Sequence, residues 1–169
     1  MRYKYCPQCG AKLIEKDAGD DGKVPFCEKC EKYWFDAFAS CVITMVINEY
    51  DEILLIGQKY LSDEYMNFIS GFMRPGENAE QAAAREVREE VGFEMDSLES
   101  SGTWWFEDGE MLMHGFIGRV KKQDPVLSVE VDSARWVPCE EAEQYMYPDM
   151  PGNAQYGTYK KFMAAHEKK

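Results

Sequence analysis

The chain has 169 residues, 45% of them apolar and 14% aromatic, which is enough for one domain with a sizeable core, or one domain plus a small stapled module. That composition excludes a disordered chain, and no apolar run approaches the roughly 20 residues of a membrane span. A formal net charge of −12, from 31 acidic and 19 basic side chains, argues against a nucleic-acid partner; a phosphorylated substrate then requires a cation between the two anions.

The chain opens MRYKYCPQCG, without the apolar segment of a secretory signal, so a cytoplasmic protein with no membrane partner is expected. Six cysteines are present, and four of them, Cys6, Cys9, Cys27 and Cys30, form C-x2-C-x17-C-x2-C. Each CxxC turns two thiolates toward one ion, and two such knuckles complete the tetrahedron that Zn²⁺ accepts. Residues 1–36 therefore read as a zinc ribbon, with Zn²⁺ in a structural role; a redox CxxC is the alternative, which two pairs at this spacing disfavour. Pro7 and Gly10 suit the first knuckle, whereas Glu31 stands where the second would want glycine, which predicts a less regular turn. Glu15–Lys23 is polar and Gly-rich and reads as a hairpin tip. Residues 1–36 carry seven basic and seven acidic side chains, so the ribbon has no basic stripe and a stapling role is favoured over recognition of a partner. The remaining two cysteines, Cys41 and Cys139, sit in apolar surroundings and are expected to be buried free thiols.

Residues 37–169 form the second predicted domain. Ser40–Asn48 and Glu52–Lys59 read as strands joined by a turn at Glu49–Asp51, and Tyr65–Phe72 as a third. Pro75-Gly76 marks a turn. Asn78 is placed to cap a helix, with Gln81 completing a capping box, Ala82–Ala84 supplying propensity and Gly92 ending it. Glu86, Glu89 and Glu90 fall at i, i+3 and i+4, so three carboxylates share one helix face within reach of an ion. Hard oxygen donors of this kind suit Mg²⁺ or Mn²⁺. Val87 and Val91 mark the flank that packs on a sheet. Further on, His114 lies in an apolar strand, MLMHGFIGRV, and is expected to be packed rather than catalytic. The chain's two histidines and its lack of a G-x-S-x-G pattern exclude a Ser–His hydrolase.

From Gly71 to Phe93 the residues fit G-x5-E-x7-R-E-U-x-E-E-x-G-U, with U apolar, at Gly71, Glu77, Arg85, Glu86, Val87, Glu89, Glu90, Gly92 and Phe93. The string resembles the signature of the Nudix hydrolases at every specified position. The resemblance implies an α/β/α sandwich with a mixed sheet, and hydrolysis of a phosphoanhydride bond in a nucleoside diphosphate linked to a group X. It implies that Glu86, Glu89 and Glu90 ligate Mg²⁺ or Mn²⁺, that Gly71 brings its backbone near the metal, and that Arg85 and Glu77 pair to brace the motif. Which carboxylate acts as general base stays open.

A ribbon ahead of such a domain is similar to the zinc-ribbon NADH pyrophosphatases and their NAD-cap-removing relatives. Glu130–Pro138, EVDSARWVP, looks like the E-x-x-x-A-x-W segment of that group and implies Glu130 as a further ligand or base. Pro151–Met163 resembles its closing helix. The group's SQPWPFPxS array is replaced here by SGTWWFEDGEM, in which only Ser101, Trp104 and Phe106 agree, so the implied substrates extend from NADH or NAD⁺ to ADP-ribose and other nucleotides. Trp104, Phe106 and Tyr156 are candidate substrate-stacking residues, although a core or dimer-contact role is the favoured reading of each because large aromatics dominate cores and interfaces, and the resemblance implies a homodimer. The rival reading is a nucleotide sensor whose ribbon contacts a regulated protein or nucleic acid; retention of all three carboxylates argues against it.

Overall fold

The computed structural model describes residues 3–166 and separates into two compact units, Met1–Phe38 and Ala39–Lys169. The first divides two residues beyond the boundary read from sequence. It holds strands β1 (Ile14–Asp17), β2 (Lys23–Cys27) and β3 (Lys32–Tyr33) in an antiparallel sheet of that order. The expected hairpin tip is tighter than Glu15–Lys23. Ile14–Asp17 pairs with Lys23–Phe26, and a single 3₁₀ turn, Gly19–Asp21, makes the reversal. Such a unit has little apolar surface to bury. Its core is Cys6, Leu13 and Cys27, flanked by Tyr3, Cys9, Ala11, Cys30 and Trp34.

In the second unit, β4 (Ala39–Ile47) runs through the centre of a mixed sheet. Its sequence ASCVITMVI is apolar on both faces because both are covered: Val42 and Val46 meet the helix α1 (Ala79–Val91), and Ile43, Met45 and Ile47 meet the opposite layer. Each such fully buried side chain contributes about 1.5–3 kcal/mol. The strand order is β7 (Ser97–Phe106), β8 (Met111–Arg119), β4, β5 (Glu52–Gly57), β9 (Ser133–Pro138). The β4–β8 pair is parallel; the other pairs are antiparallel. A short strand, β6 (Ile69–Phe72), pairs with Cys41–Thr44 of β4, while β5 takes Val46 and Ile47 of the same strand. The far layer is α2 (Ala154–His166) and a 3₁₀ segment at Cys139–Tyr145. An α/β/α sandwich results, as expected.

Two boundaries differ from the sequence reading, while the turn at Glu49–Asp51 stands where it was read. The third strand begins at Ile69, not Tyr65, because Asn67 exchanges backbone hydrogen bonds with Ile56 of β5 before the chain crosses to β4. The turn at Glu49–Asp51 is built by Asn48, whose side-chain oxygen accepts from the Tyr50 and Glu52 N–H groups, while Asp51 takes a φ of 56°. The closing helix starts at Ala154, not Pro151, because Asn153 caps it through the Tyr156 N–H at 3.1 Å. No helix among the described residues is long and apolar enough to cross a membrane.

Candidate metal and phosphate site

The loop before α1 and the first turns of that helix follow local rules. Arg74-Pro75-Gly76-Glu77 turns with Gly76 at φ 93°, a conformation that favours glycine, and Glu77 N–H donates to the Arg74 carbonyl at 3.3 Å. Asn78 Oδ1 accepts from Gln81 N–H at 2.8 Å and Gln81 Oε1 from Asn78 N–H at 3.0 Å, a complete capping box. Gly92, at φ 76°, closes the helix onto the Arg88 carbonyl. The buried stripe is Ala82, Ala83, Val87, Glu90 and Val91. Glu90 thus lies within the apolar face, one position from Val91 and three from Val87.

That placement separates the three carboxylates. Glu90 is 4% exposed, and its Oε2 is buried without a hydrogen-bond partner. Burial, followed by the negative fields of Glu86, Glu130 and Glu89, pushes its carboxyl up to about 8. Glu86 is intermediate and Glu89 the most open. Among the described residues they do not converge to within 4.8 Å of one another. Instead the Arg85 guanidinium is inserted between two of them. One nitrogen donates to Glu86 at 2.6 Å and to Glu89 at 3.0 Å, and the opposite edge grips Glu77 bidentately at 3.0 and 2.7 Å. The Arg85 hydrogen bonds, with the Arg74 N–H, push the Glu77 carboxyl down to about 2. Partial desolvation raises Glu89, but the bonds from Arg85 and Arg74 outweigh it and hold that carboxyl below the usual range.

Gly71 explains how Glu86 fits. A Cβ on Gly71 would stand 2.1 Å from one Glu86 oxygen and 2.6 Å from the other. The missing side chain makes the space in which that carboxylate lies against β6. Glu130 comes from a different part of the chain: the loop ahead of β9 docks on the end of α1 through Ser128 N–H to the Glu90 carbonyl and Val126 N–H to the Val91 carbonyl, both at 3.0 Å. Glu130 is exposed and acts electrostatically on Glu90. Trp136, in the same segment, stacks on Phe93 at 6.0 Å and donates to the Gln123 carbonyl, so it is a packing residue.

Two residues of this face, Arg74 and Tyr60, were missed, as was a buried polar side chain, Gln58. Arg74 forms a two-point ion pair with Glu89 at 3.2 and 3.0 Å. Gln58, directly after β5, has both amide atoms buried without a partner. Tyr60 is exposed, yet its phenol is pushed up by local desolvation and then by Glu90, Glu130 and Glu86. Nothing in the local sequence marks them, because each is brought in by chain reversal.

The aromatic candidates lie elsewhere. Trp104 packs against the α2-side core, wedged where added Cβ atoms on Gly115 and Gly157 would approach its ring to 2.4 Å. Tyr156 is buried in the same core, edge-on to Tyr159 at 6.1 Å. Both belong to the core that α2 covers, on the opposite side of the sheet from α1. Their burial there fits a packing role, the reading favoured from sequence, better than a stacking platform. Phe106 is partly exposed at the end of β7. His114 is a packed residue as read, its Nε2 3.0 Å from Ser40 Oγ. Cys41 and Cys139 are buried.

In the first unit the Sγ atoms of Cys6, Cys9, Cys27 and Cys30 all lie within 4.8 Å of one another, with 3.6 Å between Cys9 and Cys27 and 4.0 Å between Cys6 and Cys30. A tetrahedron with Zn–S bonds of about 2.3 Å has edges of about 3.8 Å, so the four thiols fit Zn²⁺. Glu31 adopts φ 51°, the same left-handed region as Gly10 at 72°. The second knuckle is therefore as regular as the first, and glutamate bears the backbone strain.

A NUDIX domain model matches residues 37–157. The NAD-capped RNA hydrolase NudC of Escherichia coli is 30% identical over 152 residues, covering 88% of this chain and 54% of that protein. The NAD-capped RNA hydrolase ndx-9 of Caenorhabditis elegans is 27% identical over 139 residues, covering 79% of this chain and 36% of that one. The chain thus spans between a third and just over half the length of these relatives. Among solved structures, a NUDIX hydrolase from Nitrosomonas europaea has a TM-score of 0.70 at 21% identity, covering 98% of this chain and 93% of that chain. The NUDIX domain of Shewanella oneidensis NrtR, complexed with ADP ribose, has a TM-score of 0.65 at 15% identity over 83% of this chain and 94% of its own.

Proposed function

The chain belongs to the Nudix family, and from that premise we propose that it is a metal-dependent pyrophosphohydrolase acting on a nucleoside diphosphate linked to X. The observation that carries the reading is Glu90: a buried carboxyl with an orphaned oxygen, flanked by Glu86 and Glu130, is an arrangement that a divalent cation completes. Glu86, Glu89 and Glu90 are the residues that would hold Mg²⁺ or Mn²⁺, with the backbone of Gly71 alongside. Such a cation, when bound, neutralises the diphosphate and polarises the attacked phosphorus.

The remaining roles fall to the chain itself. Arg85, anchored by Glu77, sets the positions of Glu86 and Glu89, and Arg74 restrains Glu89 from outside. Glu130, open to solvent and acting electrostatically on Glu90, is the carboxylate proposed to take the proton of the attacking water. The water oxygen bonds to one phosphorus, the bridging P–O bond breaks, and two phosphate-bearing products leave. The substrate class proposed is an NAD(H)-type dinucleotide or ADP-ribose. The net charge of −12 disfavours contact with an RNA body, so the NAD-capped RNA of the relatives is carried over only as far as its dinucleotide end. In the ribbon, Cys6, Cys9, Cys27 and Cys30 would hold structural Zn²⁺.

The test is chromatographic detection of the two phosphate-bearing products with Mg²⁺ or Mn²⁺ across NADH, NAD⁺, ADP-ribose, other dinucleotides and nucleoside triphosphates, beside Glu89→Gln and Glu90→Gln proteins. Turnover of one class, abolished by EDTA and by both substitutions, is expected. Intact nucleotide binding without turnover of any substrate would replace the enzyme by a nucleotide sensor. Sedimentation at micromolar concentration tests the accompanying proposal that the chain is a homodimer, which a clean monomer would remove.

A further inference from the structure

A second cluster of metal-ligating side chains lies within the second unit, on residues that take no part in the carboxylate face. The donor atoms of Cys139, Glu140 and His166 lie within 4.8 Å of one another, and Asp51 Oδ2 is 4.0 Å from His166 Nε2. Three distant segments build it: the β4–β5 turn, the 3₁₀ segment after β9, and the last turn of α2. We propose that these four residues form a transition-metal site, with Zn²⁺ as its ion, that staples the end of α2 to the sheet.

The scaffold holds the donors in place before any ion arrives. Cys139 N–H donates to the Asp51 carbonyl at 3.0 Å, which ties the cysteine to the turn. Asp51 itself takes φ 56°, an uncommon conformation for a residue with a side chain. Tyr159 Oη donates to the Cys139 carbonyl at 2.9 Å, tying α2 to the same residue. The His166 ring is stacked on Phe162, with centroids 5.4 Å apart and planes at 22°. Donor atoms around a tetrahedral zinc are separated by about 3.3–3.8 Å, so adjustments of about 1 Å bring Cys139, Glu140 and His166 to that spacing, and Asp51, 4.0 Å from His166, would swing in as the fourth ligand.

The donor set selects the ion. A thiolate and an imidazole favour zinc over Mg²⁺ or Ca²⁺, and two carboxylates complete four ligands. Cys139 is fully buried whereas Glu140 is exposed and His166 partly so, which leaves an open side for entry. A lone buried thiol and a surface His–Asp pair would explain two of the contacts, but not the convergence of the Cys139, Glu140 and His166 donors with Asp51 beside them.

The test uses the full chain, equilibrated with micromolar zinc and excess Mg²⁺, then freed of loose metal by gel filtration and analysed for bound zinc. His166→Ala and Glu140→Gln change positions at the surface, and circular dichroism checks that both variants fold. The wild-type protein is expected to hold about one zinc per chain more than either variant, about two against one when the ribbon is filled. It should also show a zinc-dependent rise in melting temperature that both variants lose. Equal zinc content and equal shifts in wild type and variants would overturn the site.

Discussion

Gly71→Ala isolates the role of a single missing side chain. The new methyl would stand 2.1 and 2.6 Å from the Glu86 oxygens, against an ordinary carbon–oxygen contact of about 3.4 Å. The carboxylate must retreat by about 1 Å, because the backbone behind Gly71 is fixed by its pairing with Val42 of β4. That retreat breaks the 2.6 Å bond from Arg85, which keeps its grip on Glu77 and Glu89. One partly exposed charge-assisted hydrogen bond is lost, so stability should fall by about 1–2 kcal/mol, or a few degrees in Tm. The reaction should suffer far more, since a 1 Å misplacement of a positioned group costs about 10²-fold in rate. Initial rates and thermal melts of Gly71→Ala, Glu86→Gln and the double variant separate the two effects. If Glu86 transmits the damage, Gly71→Ala adds little in the Glu86→Gln background. Full additivity, or wild-type turnover by Gly71→Ala alone, would refute the reasoning.

The Glu90 carboxyl, raised from 4.5 to about 8, binds its proton more tightly in the folded state than in the unfolded one. Its contribution is therefore fully present below pH 4.5, and is lost as pH rises through about 8. In EDTA, denaturant unfolding at pH 5 and pH 9 should show wild type losing more stability over that interval than Glu90→Gln; equal losses would remove the buried-carboxyl argument. Gly157→Ala places a methyl 2.4 Å from the Trp104 indole, and overpacking of about 1–3 kcal/mol should exceed the roughly 1 kcal/mol gain in helix propensity, seen as a lower Tm. Cys9→Ser should abolish zinc retention by the ribbon and collapse the dispersed amide signals of residues 3–36 in a ¹⁵N spectrum. Retained dispersion without zinc would show that the sheet stands on its apolar core alone.

Features confined to a few consecutive residues were legible in the sequence. The capping box at Asn78 and Gln81, the left-handed stop at Gly92, the paired CxxC knuckles and the apolar strand through Val42–Ile47 all depend on neighbours within one turn or one pleat. The helical period also brought Glu86, Glu89 and Glu90 to adjacent positions. It did not assign them different environments, because that depends on what covers the helix. Only the tertiary structure decided that Glu90 shares the buried stripe with Val87 and Val91 while Glu89 reaches Arg74 at the surface. The same holds for Glu130 and Tyr60 beside Glu90, for Trp104 turned into the α2-side core, and for Asp51, Cys139 and His166 meeting from three segments. Local order is set by backbone hydrogen bonds over three or four residues, so composition and spacing reveal it. Contacts across tens of residues are set by how the sheet's two faces are covered, and that is decided when the whole core packs.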